Sequence, residues 1–178
     1  MSTAERRSAQ SARASVPGAL ATVTDLDASN VSVIAEAVNP LIADALALYV
    51  KTKNFHWHLS GPRFRDYHLL FDEHAASILE SVDVLAERVR KIGGTTLRSI
   101  GQISRLQRIP DDNDDYVPAS EMIKRLLNDN RQIAERQRAA IDLCDSRGDS
   151  PTGNILQDIL DQTERRIWFL FELTQDNQ

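Results

Sequence analysis

Residues 63–94 read RFRDYHLLFDEHAASILESVDVLAERVRKIGG and form the most regular segment of the chain. Nine apolar residues recur there at steps of three and four, and they fall within an arc of about 80° on a helix. They are Phe64, Tyr67, Phe71, Ala75, Ile78, Val82, Leu85, Val89 and Ile92. Pro62 precedes the segment, and two glycines close it. The pattern therefore predicts one long amphipathic helix over about residues 63–92 with its apolar stripe against a core.

Three further long helices are predicted around this one. Apolar periodicity indicates a helix from Val31 to about Leu59, a third from Ala119 to Arg147, and a fourth from Thr152 to Thr174. The inward residues of the fourth are expected to be Ile155, Ile159, Ile167, Leu170 and Phe171. The connection over residues 95–118 contains a short helical pattern at Arg98–Gln107. The length of this connection lets the second and third long helices run parallel, so we predict an all-α four-helix bundle.

The composition describes one acidic domain. The chain has 178 residues, 42% of them hydrophobic, which is enough for one packed core. Its net charge of −5 favours cations over polyanions as partners. The single cysteine, Cys144, cannot form an intramolecular disulfide, and there is no uninterrupted run of about 18 apolar residues. We expect a cytoplasmic protein that does not enter a membrane.

The first residues differ in character from the rest. Residues 1–24 are rich in Ser and Ala and carry Arg6, Arg7 and Arg13 against Glu5 near their start. This composition is typical of a disordered, mildly basic tail, which leaves residues 25–178 as the bundle domain. Such a tail either binds DNA, which would associate the protein with the nucleoid, or only keeps the terminus soluble.

A polar stripe runs beside the apolar one on the second long helix. Relative to His68, the side chains of Asp72, Asp83 and Glu87 lie about 40°, 60° and 100° around the axis. The four histidines of the chain fall within nineteen residues, at positions 56, 58, 68 and 74. Acidic residues along a helix are most often only its solvated face. The accompanying histidines make this stripe a candidate metal site.

The helical rise prevents one chain from gathering this stripe around one metal. His68 and Asp83 are fifteen positions apart, about 22 Å along the axis, and Glu87 lies about 28 Å away. If they share a metal, a second copy must pack antiparallel about a two-fold axis, so that His68 of one chain faces the acids of the other. The midpoint falls near residues 75–78, where small residues, Ala-Ala-Ser, would let two helices approach.

Imidazole and carboxylate ligands suit iron, zinc or manganese, whereas a structural zinc site would need more cysteines. Iron is favoured because a site with few protein ligands keeps positions open for both Fe(II) and an oxidant. The chain lacks a Glu-x-x-His pair, the helical signature of di-iron sites buried inside a single bundle. A site between subunits is therefore expected.

Several motifs stand at fixed spacing: KNFHWHLSGP at 53–62, FDE at 71–73, AER at 86–88 and GG at 93–94. His56, His68, Asp83 and Glu87 follow one another at steps of 12, 15 and 4 residues. From about residue 30 to the C-terminus, the chain closely resembles the Dps family, the mini-ferritins named for DNA protection during starvation. The resemblance implies a ferritin-like four-helix bundle with a short extra helix on the long connection between helices two and three.

The resemblance also implies a ferroxidase that stores the iron it oxidises. Two-fold dimers would build a hollow homo-dodecamer that oxidises Fe(II), preferentially with hydrogen peroxide rather than dioxygen, stores ferric oxide and so protects DNA. Carried onto this chain, each centre takes His56, His68 and Asp72 from one subunit and Asp83 and Glu87 from its mate. Iron is the implied metal, and zinc is a substitute at the same site.

Neighbouring residues are interpreted from the same resemblance. Trp57 corresponds to an aromatic residue beside the centre that quenches radicals, unless it only packs in the core. His58 is either an additional ligand or a surface histidine. Glu73 and His74 are expected to face solvent or a neighbour.

Two expectations concern the third and fourth helices. The family's acidic pores for iron lie near the start of the last helix, where the chain offers Asp145, Asp149 and Asp158. Cys144 is expected to be a small buried hydrophobe rather than a reactive thiol.

Two other functions remain open on the sequence alone. A DNA-compacting nucleoid protein would bind DNA through a basic tail and handle iron only secondarily. Three arginines with no lysine before Lys51 make a modest tail of that kind. A helical bundle that holds zinc without redox chemistry would retain metal and consume no peroxide.

Overall fold

The computed structural model describes residues 17–175, and these residues contain helices and no strand. A 3₁₀ turn at Gly18–Leu20 precedes five α-helices: α1 Ala28–His58, α2 Phe64–Lys91, α3 Ile100–Leu106, α4 Ala119–Ser146 and α5 Ser150–Glu172. The all-α prediction is confirmed. Each long helix begins and ends within three residues of its predicted bounds.

The four long helices form the predicted bundle. α1 packs along α2 and α4 packs along α5, while α1 also contacts α4 and α2 contacts α5. The short α3, on the connection between α2 and α4, packs against α1. The ferritin-like arrangement with an extra helix on the long connection is confirmed.

Two apolar layers, one towards each end, fill the bundle. One is formed around Ile34, Val38, Leu85 and Leu156, and the other around Phe55, Phe71, Ile123 and Leu170. Six of the nine residues of the predicted α2 stripe are buried, Tyr67 and Val82 are half-buried, and Phe64 is exposed. The periodicity of α2 therefore identifies its core face correctly. Cys144 is fully buried, and burial raises the pKa of its thiol to about 11, which confirms its interpretation as a buried hydrophobe.

The predicted inward face of α5 is correct at Leu170, which is fully buried, is displaced by about one residue at Ile155, Ile159 and Ile167, and is wrong at Phe171. The buried residues of this helix are Thr152, Gly153, Leu156, Leu160, Thr163, Arg166 and Leu170. Ile155, Ile159 and Ile167 are only half-buried, and Phe171 is exposed. Thr163 and Arg166 occupy core positions although they are polar, so a search for apolar periodicity selects the neighbouring face.

Two glycines join α2 to the connection that follows it. Gly93 has φ +90°, a left-handed conformation that side chains disfavour. Gly94 donates its backbone N–H to Val89 O at 2.9 Å, and a Cβ at this position would lie 3.2 Å from Ala35 Cβ. The GG motif thus lets the end of α2 approach α1 closely.

The turn into α5 is held by a buried aspartate. Asp149 is 1% exposed, caps α5 by accepting from Thr152 N at 3.2 Å, and pairs with Arg88 Nη2 at 2.5 Å. These contacts fill its acceptor positions inside the bundle. Asp149 is therefore a structural cap, and the expectation that it lines a pore is wrong.

The long connection is anchored to α1 by a buried aspartate as well. Asp44 is fully buried and accepts from the backbone N of Arg108 at 2.5 Å and from its Nη2 at 2.6 Å. Arg136 Nη1 of α4 approaches the same carboxylate at 3.2 Å. Because a buried carboxylate needs paired charges around it, this cluster fixes the connection against both α1 and α4.

One helix, α1, has the length and apolar composition of a membrane span. Slightly more than half of its most apolar stretch, 56%, is buried inside the bundle. Its apolar side chains, including Ile34, Val38 and Ile42, are covered by the other helices. α1 is therefore the central helix of this core, and its hydropathy needs no membrane to account for it.

The predicted tail lies mostly outside the described residues, which begin at Pro17. From there to Thr24 the chain is exposed and runs past the end of α2. Arg90 Nη2 donates to Leu20 O at 2.6 Å. This contact places the 3₁₀ turn beside the Gly93–Gly94 junction.

Candidate metal centre

Two histidines meet where α1 ends and α2 begins. His56 lies in the last turn of α1 and His68 in the second turn of α2, and their rings stack with centroids 3.7 Å apart and planes 20° apart. Each ring is bonded to the backbone of the other residue: His56 Nδ1 lies 2.8 Å from His68 O, and His68 Nδ1 lies 3.1 Å from His56 O. Phe64 stacks on His68 at 5.0 Å.

These reciprocal bonds determine which nitrogen of each ring is free. A carbonyl oxygen only accepts, so Nδ1 of each neutral imidazole must carry the hydrogen and donate it. The Nε2 atom of each ring then keeps its lone pair. Backbone orientation of one ring nitrogen while the other binds metal is the usual arrangement of metal-ligating histidines.

Asp72 lies one helical turn after His68 on the exposed side of α2. Its Oδ1 accepts from Lys53 Nζ at 2.7 Å, and the side chain is 57% exposed. The hydrogen bond and charge of Lys53 hold the pKa of Asp72 below its ordinary value, so the carboxyl is ionised at neutral pH. The pair gives Asp72 a partner in the metal-free chain that a cation can replace.

Asp83 and Glu87 are not brought to the histidines within one chain. Both are exposed on α2, and Glu87 Oε2 pairs with Lys91 Nζ at 3.3 Å, one turn further on. Within residues 17–175, no three His, Cys, Asp or Glu side chains stand close enough together to hold a metal ion. The five candidate ligands of one chain therefore form a histidine end and an acidic end of α2.

A continuous exposed face of α2 joins these two ends. At steps of three and four residues it presents Leu69, Asp72, Ala76, Leu79 and Asp83. Leu69 and Leu79 are 44% and 43% exposed, so this face carries an apolar side chain on each side of Ala76. Of the three small residues at 75–77, only Ala76 is exposed, because residue 75 is buried and residue 77 faces α5.

The ferritin-like domain family matches residues 35–177 of the chain. A DNA protection during starvation protein from Brevibacillus brevis is 31% identical over 137 residues, which cover 77% of this chain and 91% of that protein. The chain belongs to the Dps family of ferritin-like proteins.

Further comparisons agree with this assignment. An uncharacterised low temperature-induced protein from Nostoc sp. is 33% identical over 134 residues, 75% of each chain. The solved structure of DpsC from Streptomyces coelicolor superposes with a TM-score of 0.85 at 27% identity and covers 88% of this chain and 92% of that one. Iron storage and DNA protection are functions of the Dps family, and iron is the metal that the ferritin-like fold implies here.

Trp57 and His58 follow His56 and both face outwards in the single Dps chain. The Trp57 side chain is 63% exposed, and Lys53 Nζ lies 6.0 Å from its ring centroid. It therefore does not pack in the core of its own subunit. His58 is exposed and bonds through Nδ1 to Asn54 O at 2.9 Å, as expected of a surface histidine.

His74 is buried, so the expectation that it faces solvent or a neighbour is wrong. The ring is 6% exposed and lies 6.4 Å from the Phe169 ring of α5. Burial, followed by the charges of Arg166 and Arg165, lowers its pKa to about 4. His74 is therefore neutral at physiological pH and packs between α2 and α5.

Sequence reasoning missed two contacts of the candidate centre. The sequence pattern alone does not pair Lys53 with Asp72, and it assigns Phe64 to the core, whereas Phe64 stacks on His68. Lys53 stands three residues before His56 on the same helix, and this spacing places both side chains on one face. The spacing of Lys53 and His56 is visible in the sequence, but only the position of α2 shows that Lys53 pairs with Asp72.

Proposed function

We propose that two copies of this Dps chain pair antiparallel along α2 and together form two ferroxidase centres. The observation that carries the proposal is the reciprocal histidine pair: it leaves two Nε2 atoms free at one end of an exposed helix face whose other end holds two carboxylates. A two-fold axis at Ala76 would place residue 83 of the partner level with residue 69, and residue 87 level with residue 65. The partner's acids would thus reach the histidines.

In each centre, His56, His68 and Asp72 of one subunit would bind Fe(II) together with Asp83 and Glu87 of the partner subunit. Binding displaces Lys53 from Asp72, because the cation takes over the carboxylate. The mixture of two imidazoles and three carboxylates suits Fe(II), and zinc is expected to compete for the same ligands. Fe(II) is the substrate of this site, and the iron leaves it as ferric product.

The proposed reaction consumes two Fe(II) for each hydrogen peroxide. Each Fe(II) gives up one electron, the O–O bond breaks, and the peroxide takes up these two electrons together with two protons to leave as two water molecules. A centre that holds both Fe(II) ions delivers the two electrons together, so no hydroxyl radical is released. Trp57, exposed beside the ligands, would intercept any one-electron product that escapes.

The same dimers would assemble into a hollow dodecamer that stores ferric oxide in the cytoplasm. DNA protection then follows from the removal of Fe(II) and peroxide and requires no contact with DNA. The net charge of −5 gives no support to DNA compaction as the main function. The arginines proposed for DNA binding lie outside the described residues.

The stoichiometry of the reaction tests the proposal. Anaerobic, metal-free protein is loaded with Fe(II), peroxide is added, and ferric absorbance, residual peroxide and spin-trapped radicals are followed, with protein-free Fe(II) as the control. We expect two Fe(II) oxidised per peroxide, little radical adduct, a slower reaction with dioxygen, and inhibition by Zn(II) added first. A ratio near one, with as much radical adduct as in the protein-free control, would contradict the proposal.

A further inference from the structure

A buried arginine without an acidic partner lies between α2 and α5. Arg166 is only 5% exposed. Its guanidinium donates to three neutral oxygens: to Asn130 Oδ1 at 2.9 Å, to Ser77 Oγ at 3.0 Å and to Thr163 Oγ1 at 2.8 Å. Among residues 17–175, no carboxylate lies within ion-pair distance of it.

Other cations in the interior of the bundle have counter-charges. Lys51 Nζ lies 2.8 Å from Asp129 Oδ2, and Arg136 of the long-connection cluster faces Asp44. Burial lowers the pKa of Arg166 to about 10, which still leaves it charged at neutral pH. A guanidinium has five N–H groups, so two of those on Arg166 have no acceptor in the described part of the chain. Because a buried charge without a counter-ion is energetically costly, binding of an external anion would stabilise the Arg166 guanidinium strongly.

A small cavity lies beside this guanidinium. Its volume is about 60 Å³, and its lining includes Arg165, Arg166, Gln162 and Ser77. That volume corresponds to roughly two water molecules, so it suits a compact oxyanion rather than an organic ligand. Arg165 stacks 5.2 Å over the Phe169 ring, which also lines the cavity. One carboxylate, on the exposed residue Glu73, contributes to the rim and opposes an anion.

We propose that this cavity binds one small inorganic oxyanion per chain, of the class of inorganic phosphate, through the guanidinium groups of Arg166 and Arg165. A tetrahedral oxyanion offers enough acceptors for the two free N–H groups of Arg166, for Arg165 and for the amide of Gln162. A phosphodiester of a nucleic acid carries two further substituents, which the cavity cannot enclose. The site lies on the α5 side of α2 and shares no residue with the proposed iron ligands.

Equilibrium dialysis of radiolabelled inorganic phosphate against metal-free, full-length protein tests the proposal. We expect saturable binding of one phosphate per chain, displaced by sulfate but neither by chloride at equal ionic strength nor by a short oligonucleotide. Arg166→Met is expected to weaken binding at least about tenfold, because it removes charge-assisted hydrogen bonds. The matched control is Arg131→Met, which removes the same charge from an exposed position of α4 and should bind like the parent.

Two further measurements keep the result interpretable. Methionine in place of an unpaired buried charge is not expected to unfold the bundle, and circular dichroism checks this. Glu73→Gln leaves the core unchanged and should strengthen phosphate binding, since it removes the carboxylate at the rim of the cavity. The proposal is overturned if the parent shows no saturable binding, if Arg166→Met binds like the parent, or if the oligonucleotide displaces phosphate. None of these outcomes depends on iron oxidation.

Discussion

Alanine at either His68 or Asp83 is expected to lower the initial rate of peroxide-driven Fe(II) oxidation about 100-fold or more. Loss of residues that merely orient a metal ligand typically costs 10- to 100-fold, and these two residues are proposed as ligands themselves. The two substitutions lie about 22 Å apart on one helix, yet they should have the same effect because each removes a ligand from the same kind of centre.

Stopped-flow absorbance of the ferric product measures this effect. Asp142→Ala is the matched control, since Asp142 is an exposed aspartate of α4 that is remote from α2 in sequence. This variant should oxidise iron like the parent. Circular dichroism establishes that each variant keeps its helices. If His68→Ala or Asp83→Ala oxidises Fe(II) at the parental rate, that residue is not a ligand and the assignment fails.

Glutamate at Ala76 is expected to separate the proposed dimer. A two-fold axis at this residue brings it against its own copy, so Ala76→Glu places two negative charges opposite each other and inserts two larger side chains between the helices. Juxtaposed like charges in an interface cost several kcal/mol, enough to weaken pairing more than 100-fold. Iron oxidation should fall with the pairing, although all five proposed ligands are still present.

Sedimentation equilibrium and the oxidation assay together test this second prediction. Ala139→Glu makes the same change at an exposed alanine of α4 and serves as the control. A variant that remains assembled and active with glutamate at position 76 would show that α2 does not cross its partner there. A variant that dissociates yet oxidises iron normally would show that one subunit is sufficient.

The fold was predictable because local and long-range signals agree. The apolar stripe of α2, its closing glycines and the length of the connection define the helices and their order, and the bounds agree to within three residues. α5 was harder: Thr163 and Arg166 lie at buried positions, and no apolar pattern reports a buried polar residue. The environment of His74 likewise depends on Phe169 and Arg166 of α5, which only the tertiary structure brings beside it.

The candidate centre was predictable in part. The spacing of His56 and His68 indicated the site, but their reciprocal backbone bonds depend on the angle at which α1 meets α2. The Lys53–Asp72 pair depends on the same junction. The pairing of α2 with a second copy stays a prediction from the helical rise and from the exposed face that includes Leu69, Ala76 and Leu79.

The central claim is that each centre takes ligands from two subunits, and complementation between inactive chains tests it most directly. One chain carries alanine at His56, His68 and Asp72, and the other carries alanine at Asp83 and Glu87. Each alone should oxidise Fe(II) at about 1% of the parental rate or less. The two chains are co-expressed in equal amounts, and dodecamers that carry both of two different tags are purified. These should recover about a quarter of the parental rate per chain, because random pairing of the two chains within the dodecamer rebuilds one site in four. No recovery in assemblies that demonstrably contain both chains would contradict a shared centre.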